Sequence, residues 1–552
     1  MSNLQLFAMG GMGKVTQNMF LYTVDDEILI VDCGIGFPDH YMPGVDILIP
    51  DISYLTKQLE KGKKIVGMIL SHGHDDHIAA LPYLLPHLPE FPIYASPLTA
   101  GFAAQRMKDG KVDRPIKVIE AGQRFALGSK FFATSFKVTH SVPDTRHYLI
   151  ETPAGAVYHG TDFRIDSTPI DNQVTDLDGI GNLKSSNVKL MLLDCLRVEV
   201  DQPAESESTI GPVIFDLMSQ TKGKFVMTLM SSHIHRIQAT VDAAKKQGRK
   251  VAFIGRSVEQ NVKVAQELKK LHLAPGLMVD KKKADQVPDE QLCMIVAGSQ
   301  GQEGSSLVRA VFGDHPILRI KTQDTVVFSA NAIPGNELNY YAAIDELARN
   351  NIRVLYPDIE PGLHHSGHAS SQEQREMIQL VKPENVMPIG GADRHRRLFA
   401  EVVATPLGYG QNQTLLPKEG EVLELSQQGI KVVDRIKLKP QTVDGKGIGD
   451  VGPAVLSDRI SMGQAGMIVL VIPRSQGHIQ VRQIQVISRG FVFMKEAEEV
   501  IGFIKETVGQ TIDANPKLKE ADLVRKIERT LGRKLYKVIQ REPMILPVII
   551  DI

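Results

Sequence analysis

His72-Gly73-His74-Asp75-Asp76-His77 sets three histidines and two aspartates within six positions, shortly after the apolar run Ile65-Val66-Gly67-Met68-Ile69-Leu70. Imidazole and carboxylate are the side chains that hold zinc-like ions. Ser71, Gly73 and Asp75 mark a loop at a strand's end, where side chains can converge. Without an ion to share, histidines at spacing two followed by Asp-Asp-His would only gather mutually repelling cations when protonated. The stretch reads as a metal-binding loop at the edge of an α/β sheet, and it needs no cysteine.

Around this loop the chain runs to 552 residues, too many for one ordinary core, so two to four domains are expected. With 43% hydrophobic and 23% charged residues the composition is that of a soluble globular chain rather than a disordered one. The longest apolar runs, such as Met467-Ile468-Val469-Leu470-Val471-Ile472 before Pro473, have strand length and predict no membrane span. The start, Met1-Ser2-Asn3-Leu4-Gln5-Leu6, has neither a basic region nor a long apolar region of an export signal, which predicts a cytoplasmic protein. Cys33, Cys195 and Cys293 lie too far apart for a disulfide framework or a cysteine zinc cage and are expected to be packing residues. A formal charge of −1 supplies no global attraction for a polyanion, so any nucleic acid must be held by a local groove. Lys281-Lys282-Lys283 and Arg394-His395-Arg396-Arg397 are candidate basic patches, although short charge runs also serve as solvated faces.

From residue 4 to about 200, apolar runs at 20–24, 28–32, 67–70 and 189–193 alternate with turns and helical patterns, as in a layered α/β domain. Between 207 and 355 the pattern becomes strand and helix alternation, with strands at 224–229, 250–254 and 325–329 and amphipathic helices at 236–248 and 258–271. That reads as an inserted parallel α/β domain. The first domain is thus expected at 1–206 and 356–436, interrupted by the insert 207–355, with a Gly-, Lys- and Asp-rich linker at 437–454 and a last domain at 455–552. In that last domain strands are expected at 466–472, 480–487 and 545–552 and helices at 496–510 and 520–532.

Asp32, Asp162 and Asp194 all sit where strands run out, the places where sites collect in α/β architecture. His140 follows a strand-like run at 131–138, and Asp162 follows another at 156–161. With the opening loop they make a two-ion site, in which an aspartate bridges and separate histidine sets fix each ion. Ser366-Gly367-His368-Ala369-Ser370 offers a hydroxyl, a glycine that lets backbone approach and an imidazole that donates when protonated, which together suit a phosphate pocket. The same serines would serve equally as the N-cap of a helix at 371–380, and the residues alone leave both open.

These residues resemble the metallo-β-lactamase fold. Gly10-Gly11-Met12-Gly13, Asp32-Cys33-Gly34-Ile35-Gly36-Phe37-Pro38, Gly255-Arg256-Ser257, Gly298-Ser299-Gln300-Gly301, Ile333-Pro334-Gly335-Asn336, His364-His365-Ser366-Gly367-His368-Ala369-Ser370 and Arg541-Glu542-Pro543-Met544-Ile545-Leu546-Pro547 narrow the resemblance to the ribonuclease J family of the β-CASP branch, nearly end to end. The resemblance implies a metallo-β-lactamase αββα sandwich, an inserted β-CASP α/β domain and a small C-terminal α/β domain. It implies one Zn2+ on His72, His74 and His140 and a second on Asp76 and His77, with Asp162 between. It further implies 5′ to 3′ exoribonuclease action on single-stranded, 5′-monophosphorylated RNA, endonucleolytic cleavage as a second mode, and work in RNA decay and maturation as a homodimer or homotetramer. Two ions about 3.5 to 4 Å apart can bring a bridging water's pKa towards about 7 and stabilise charge during in-line attack on phosphorus. By the same resemblance Asp76, His77, Asp194 and His368 are catalytic, the last two by positioning phosphate or protonating the leaving oxygen. Ser232, His233, Ile234, His364, His365, Ser366, Gly367 and His368 would contact substrate, with His233 standing where the family leads one to expect asparagine. Gly44, Asp46 and Asp444 would form a calcium site.

Gly390 departs from the family pattern, because most members carry there a histidine that completes the second zinc site. Water, His395 or His365 could take its place, or the second ion could be weak. The alternatives to a ribonuclease are therefore a β-CASP nuclease for DNA, a hydrolase of smaller substrates, and a catalytically weakened RNA-binding or scaffolding subunit.

Overall fold

The structure is a computed structural model that describes residues 2–39, 41–333, 335–439, 441–491 and 498–552. Its contacts divide the chain into two compact units, residues 1–37 with 48–441 and residues 38–47 with 442–552.

The first unit is built on two facing sheets. One has eight strands in the order Gly429–Arg435, Glu421–Ser426, Leu4–Gly10, Met19–Val24, Glu27–Val31, Lys64–Ile69, Ile93–Ala95, Ile116–Val118. The other has six, Val386–Ile389, Val188–Asp194, Gly155–Gly160, Arg146–Thr152, Phe131–Lys137, Arg124–Leu127. Phe20, Tyr22, Val31 and Ile69 from the first sheet pack with Phe131, Tyr148, Val157 and Leu192 from the second in one buried cluster. Each such side chain contributes about 1.5–3 kcal/mol by leaving water. The outer face of the six-stranded sheet is covered by the helices Ser371–Val381 and Asp393–Phe399, through Met377, Ile378, Val381 and Phe399. Helices over paired sheets make the αββα sandwich. The segment 386–389 completes the six-stranded sheet beside Val188–Asp194, in parallel, so the chain on either side of the insert forms one layer.

The insert carries a five-stranded parallel sheet in the order Lys250–Ile254, Leu292–Val296, Phe225–Thr228, Thr325–Phe328, Arg353–Leu355. Its three inner strands, Leu292–Val296, Phe225–Thr228 and Thr325–Phe328, are buried along their whole length, as parallel strands covered on both faces are, and loops with chemistry gather at the C-terminal ends of such strands.

In the second unit Met467–Ser475 pairs with Gln485–Arg489 and, in parallel, with Met544–Asp551. The strand expected at 480–487 is shorter and later, because Val481–Gln483 forms a 3₁₀ turn first. A helix covers Glu498–Asp513, and the first two positions of the helix expected at 496–510, Glu496 and Ala497, lie outside the described residues. The next helix continues past Gly532 to Ile539, since Leu523, Ile527, Leu531 and Leu535 keep one buried stripe. Within the expected linker, Gln441–Asp444 and Gly447–Ile448 pair as a hairpin and the helix Pro453–Ala465 begins. Pro334 and Pro440 also lie outside the described residues.

Candidate metal centre and substrate site

Strand Lys64–Ile69 delivers Ser71 and His72 to the sheet edge, and the short helix Asp75–Ile78 turns Asp76 and His77 back toward them. His72 Nε2 and His74 Nδ1 are 3.1 Å apart, and His140 Nε2 lies 3.2 Å from the same His74 nitrogen. Asp162 Oδ2 stands 3.6 Å from both His72 Nε2 and His140 Nε2, while its Oδ1 stands 3.6 Å from His77 Nε2. His77 Nε2 is also 3.6 Å from Asp76 Oδ2. Among the described residues three donor groups result, His72/His74/His140/Asp162, Asp76/His77/Asp162 and Asp162/Asp194/His368, all sharing Asp162.

The electrostatics fit a cation. Burial, then the neighbouring imidazoles, holds His72 and His74 well below their usual pKa, so both are neutral donors. His140 is lowered in the same way, and its Nδ1–H donates to the Gly367 carbonyl at 2.7 Å, which leaves Nε2 to face the cluster. His77 behaves oppositely. Burial opposes its charge, but Asp76, Asp162 and Asp32 outweigh burial and raise it to about 10. Burial raises Asp162 to about 7 against the pull of His77 and His368. Protons thus gather in this carboxylate cluster, where a metal cation would satisfy the same charges.

The loop 364–370 closes the site. Gly367 passes so close that a Cβ would lie 2.8 Å from Ser141 Cβ and 3.0 Å from His140 Cε1, so only glycine fits. The Ser366 carbonyl accepts from Arg164 at 3.0 Å, and Ser366 Oγ accepts from the His368 backbone N–H at 3.1 Å. Ser370 is a helix cap, its hydroxyl accepting from the Glu373 N–H while Glu373 accepts from the Ser370 N–H. Of the five-residue motif, Ser366, Gly367 and His368 remain at the site. His368 Nδ1 lies 2.8 Å from Asp194 Oδ2, and its Nε2 lies 3.9 Å from Asp162 Oδ2. His364 Nδ1 accepts from Arg236 at 2.8 Å, and His365 Nε2 lies 2.8 Å from Thr209 Oγ1. Ser232, His233 and Ile234 lie at the end of strand Phe225–Thr228, all buried.

A curated protein named Ribonuclease J from Thermus thermophilus is 34% identical to this chain over 559 residues, covering 100% of it and 95% of the relative. The chain belongs to the ribonuclease J family. Ribonuclease J2 of Bacillus subtilis is 30% identical over 100% of the chain and 99% of its own length, and Ribonuclease J of Mycobacterium tuberculosis 31% identical over 100% and 97%. Residues 29–253 match the beta-lactamase superfamily domain, 222–347 the ribonuclease J beta-CASP domain, 352–412 the Zn-dependent metallo-hydrolase RNA specificity domain, and 454–552 the ribonuclease J C-terminal domain. A crystal structure of a protein of unknown function from Enterococcus faecalis shares the fold over 77% of this chain and 100% of its own, with a TM-score of 0.54 at 15% identity.

Within this ribonuclease J framework the space at Gly390 is open toward the site. A Cβ there would lie 3.5 Å from Asp194 Oδ1 and 3.9 Å from Asp162 Oδ1. Neither substitute considered from sequence fills it. His395 Nδ1 accepts from the Ala392 N–H, its Nε2 lies 3.7 Å from Glu199, and His365 faces Thr209. The imidazole on that side is His368. The basic run at 394–397 does not act as one face either, since Arg396 is buried against the carbonyls of Pro388 and Pro417. In the second unit Asp46 accepts from the Gly445 N–H, while Arg459 bonds Asp444 at 2.5 Å and the Pro43 carbonyl at 3.0 Å, so a guanidinium already brings positive charge beside Gly44 and Asp444.

Sequence reasoning missed Asn18, whose amide donates to the carbonyls of Val15 and Asp76 and lies 3.0 Å from His77 Nε2. It also missed the buried Arg236, which pairs with Glu207 at 2.8 and 2.7 Å and bonds the Ser329 carbonyl at 2.7 Å. Single polar residues of this kind carry no local pattern.

Proposed function

We propose that this ribonuclease J family member hydrolyses single-stranded RNA from a 5′-monophosphorylated end, and can also cut internally, using two Zn2+ ions. The observation that carries the reading is the convergence of three donor groups on Asp162 beside the loop 364–370. His72, His74, His140 and Asp162 would hold one ion, and Asp76, His77 and Asp162 the other. A bound metal pair supplies Lewis acidity that activates the attacking water and offsets charge developing on phosphorus.

The chain's own groups do the rest. Gly367 orients His140 through its carbonyl, and Asp32 orients His77. Burial disfavours charge on His368, but Asp194 and Asp162 overcome it and raise its pKa to about 9. These carboxylates favour the protonated imidazole, a form that can donate to a phosphate oxygen or the leaving oxygen. Asp194 fixes the ring through Nδ1, which directs the proton on Nε2 toward the site. Ser366 and the backbone at Gly367 stand beside it as the phosphate-holding edge.

Family membership supports RNA decay and maturation in the cytoplasm, and no helix among the described residues is long and apolar enough to cross a membrane. Exposed Leu546, Val548 and Ile550 on the strand Met544–Asp551 favour a homodimer or homotetramer. The test is degradation of a 5′-monophosphorylated RNA by metal-loaded protein, with metal content measured alongside. Two zincs and shortening from the 5′ end are expected. RNA binding with no metal and no cleavage would favour the scaffolding role instead.

A further inference from the structure

The helix Glu520–Ile539 in the second unit buries Leu523, Ile527, Leu531 and Leu535 and turns its opposite side to solvent. On that side Arg525, Arg529, Arg533 and Lys537 follow one another at intervals of four residues, about 6 Å of rise per step, and all four are exposed. Arg525 pairs with Asp522 at 3.5 Å, whereas Arg529, Arg533 and Lys537 form no ion pair among the described residues. Arg533 Nε donates to the Arg529 carbonyl at 3.2 Å, which holds its guanidinium along the helix. Lys534, one position further on, bonds Gln510 Oε1 at 3.1 Å instead and stands apart from this ladder. Like charges one turn apart repel and weaken a helix, and a face made only for solubility mixes the signs so that such neighbours attract. A cation in the last turn suits the helix dipole, which accounts for Lys537 but not for the arginines before it.

The same helix meets the strand Met544–Asp551 at Gly532, where an added Cβ would lie 3.8 Å from Ile545 Cδ1. Beside this contact lies a groove of about 650 Å³, lined in part by Arg529, Arg533, Tyr536 and Lys537. That space takes a planar ring the size of a nucleobase. Tyr536 is 53% exposed. A half-exposed aromatic ring beside free cations is the pairing with which proteins hold single strands, the cations on the phosphates and the ring against a base. Glu528 and Glu542 line the groove as well. Carboxylates turn away a bare phosphate chain but accept from base amino groups, so the surface suits a strand that brings bases along with its phosphates.

The polyanion that a ribonuclease J family member meets is RNA, and a chain of net charge −1 can attract it only through a local surface. We infer that the exposed face of the helix Glu520–Ile539 is a docking surface for single-stranded RNA, distinct from the residues of the metal centre, with Arg529, Arg533 and Lys537 on successive phosphates and a base stacked on Tyr536. The inference rests on the ribonuclease reading and gives the C-terminal domain a share in substrate capture.

The test uses full-length, metal-loaded protein and two 5′-monophosphorylated RNAs, one only a few nucleotides long and one several times longer. The combined substitution Arg529→Ala, Arg533→Ala and Lys537→Ala should weaken binding of the longer RNA, read by fluorescence anisotropy, at least about tenfold. It should also flatten the slope of log affinity against log salt by about 2, the share of three phosphate contacts on a single strand. Tyr536→Ala should weaken binding about fivefold or more and leave the slope unchanged. Arg529→Lys with Arg533→Lys, which keeps the charge, should retain the parent slope. All these variants should cleave the short RNA at the parent rate, which also reports an intact fold. Parent-like affinity and slope in the combined alanine variant, or equal losses on the short and the long RNA, would overturn the inference. So would a loss of affinity that comes only with a smaller assembly, measured by light scattering, because the face would then join copies of the chain. Failure of the parent to cleave either RNA would overturn the ribonuclease reading instead, and the anisotropy comparison would still decide the docking surface.

Discussion

Asp32 Oδ2 lies 2.7 Å from His77 Nδ1, and both residues are buried. The carboxylate is held in turn by the Ser71 N–H at 2.7 Å and the Ser71 hydroxyl at 2.8 Å. Asp32 adopts φ +62, an uncommon conformation for a residue with a side chain. The ring is thereby pinned with its proton on Nδ1, and Nε2 faces Asp76 and Asp162. Carboxylate–histidine pairs of this kind orient metal ligands and raise their basicity.

Replacing Asp32 by Asn should accordingly weaken the binding of the second ion by about 10–100-fold. Isothermal titration of metal-free protein with zinc would show it as a change in the second binding step alone. Equal affinities in parent and variant would remove Asp32 from the metal centre.

His74→Ala and Asp76→Ala should each lower cleavage of 5′-monophosphorylated RNA by at least about 100-fold, the scale of several kcal/mol of lost charge stabilisation. Circular dichroism should be unchanged, because both side chains sit at the open edge of the sheet rather than in its core. Parent-like rates in either variant would dismiss the donor groups as the seat of chemistry.

Gly390→His restores an imidazole where space exists beside Asp194 and Asp162. It should tighten the second ion, while the positive φ of +68 costs about 1–2 kcal/mol of stability in the metal-free protein. Zinc titration and a thermal melt of the apo form read the two effects separately, and an unchanged zinc affinity would show that the missing imidazole does not limit the site.

Glu207 is held well below its ordinary value of 4.5. Burial works against this, and Arg236 and His233 more than compensate. Its folded pKa is depressed, so its contribution to stability is complete above about 4.5 and is lost as pH falls through the folded pKa. Glu207→Ala leaves Arg236 charged, buried and unpaired, and should cost about 3–5 kcal/mol at pH 7. Denaturant melts should show the gap between parent and variant narrowing below pH 4.5. A gap independent of pH would mean the loss is one of packing.

The donor residues were legible in sequence because metal ligands of restricted type crowd into one loop and recur at strand ends, as with His140 and Asp162. The strand at 250–254 was also legible, since its both-face burial leaves an uninterrupted apolar run. Gly532 misled, because glycine often ends helices, yet here the stripe from Leu523 to Leu535 outweighs it. Ser370 could not be assigned from sequence, as capping and phosphate binding ask for the same hydroxyl. Asn18, Glu207 and Arg236 were invisible for a different reason. Asn18 finds Asp76, Glu207 finds Arg236, and Arg236 also finds Ser329 and His364, all distant in the chain, so only folding makes the pairs.

The hydrogen bond from His140 to the Gly367 carbonyl also has a bearing on synthesis. A chain emerging from the ribosome makes His72, His74 and His140 early, but the acceptor that sets the His140 ring comes more than two hundred residues later, beyond the whole insert. The orientation of a residue made early in synthesis is therefore fixed only after residue 367 has been added and the chain on both sides of the insert has come together.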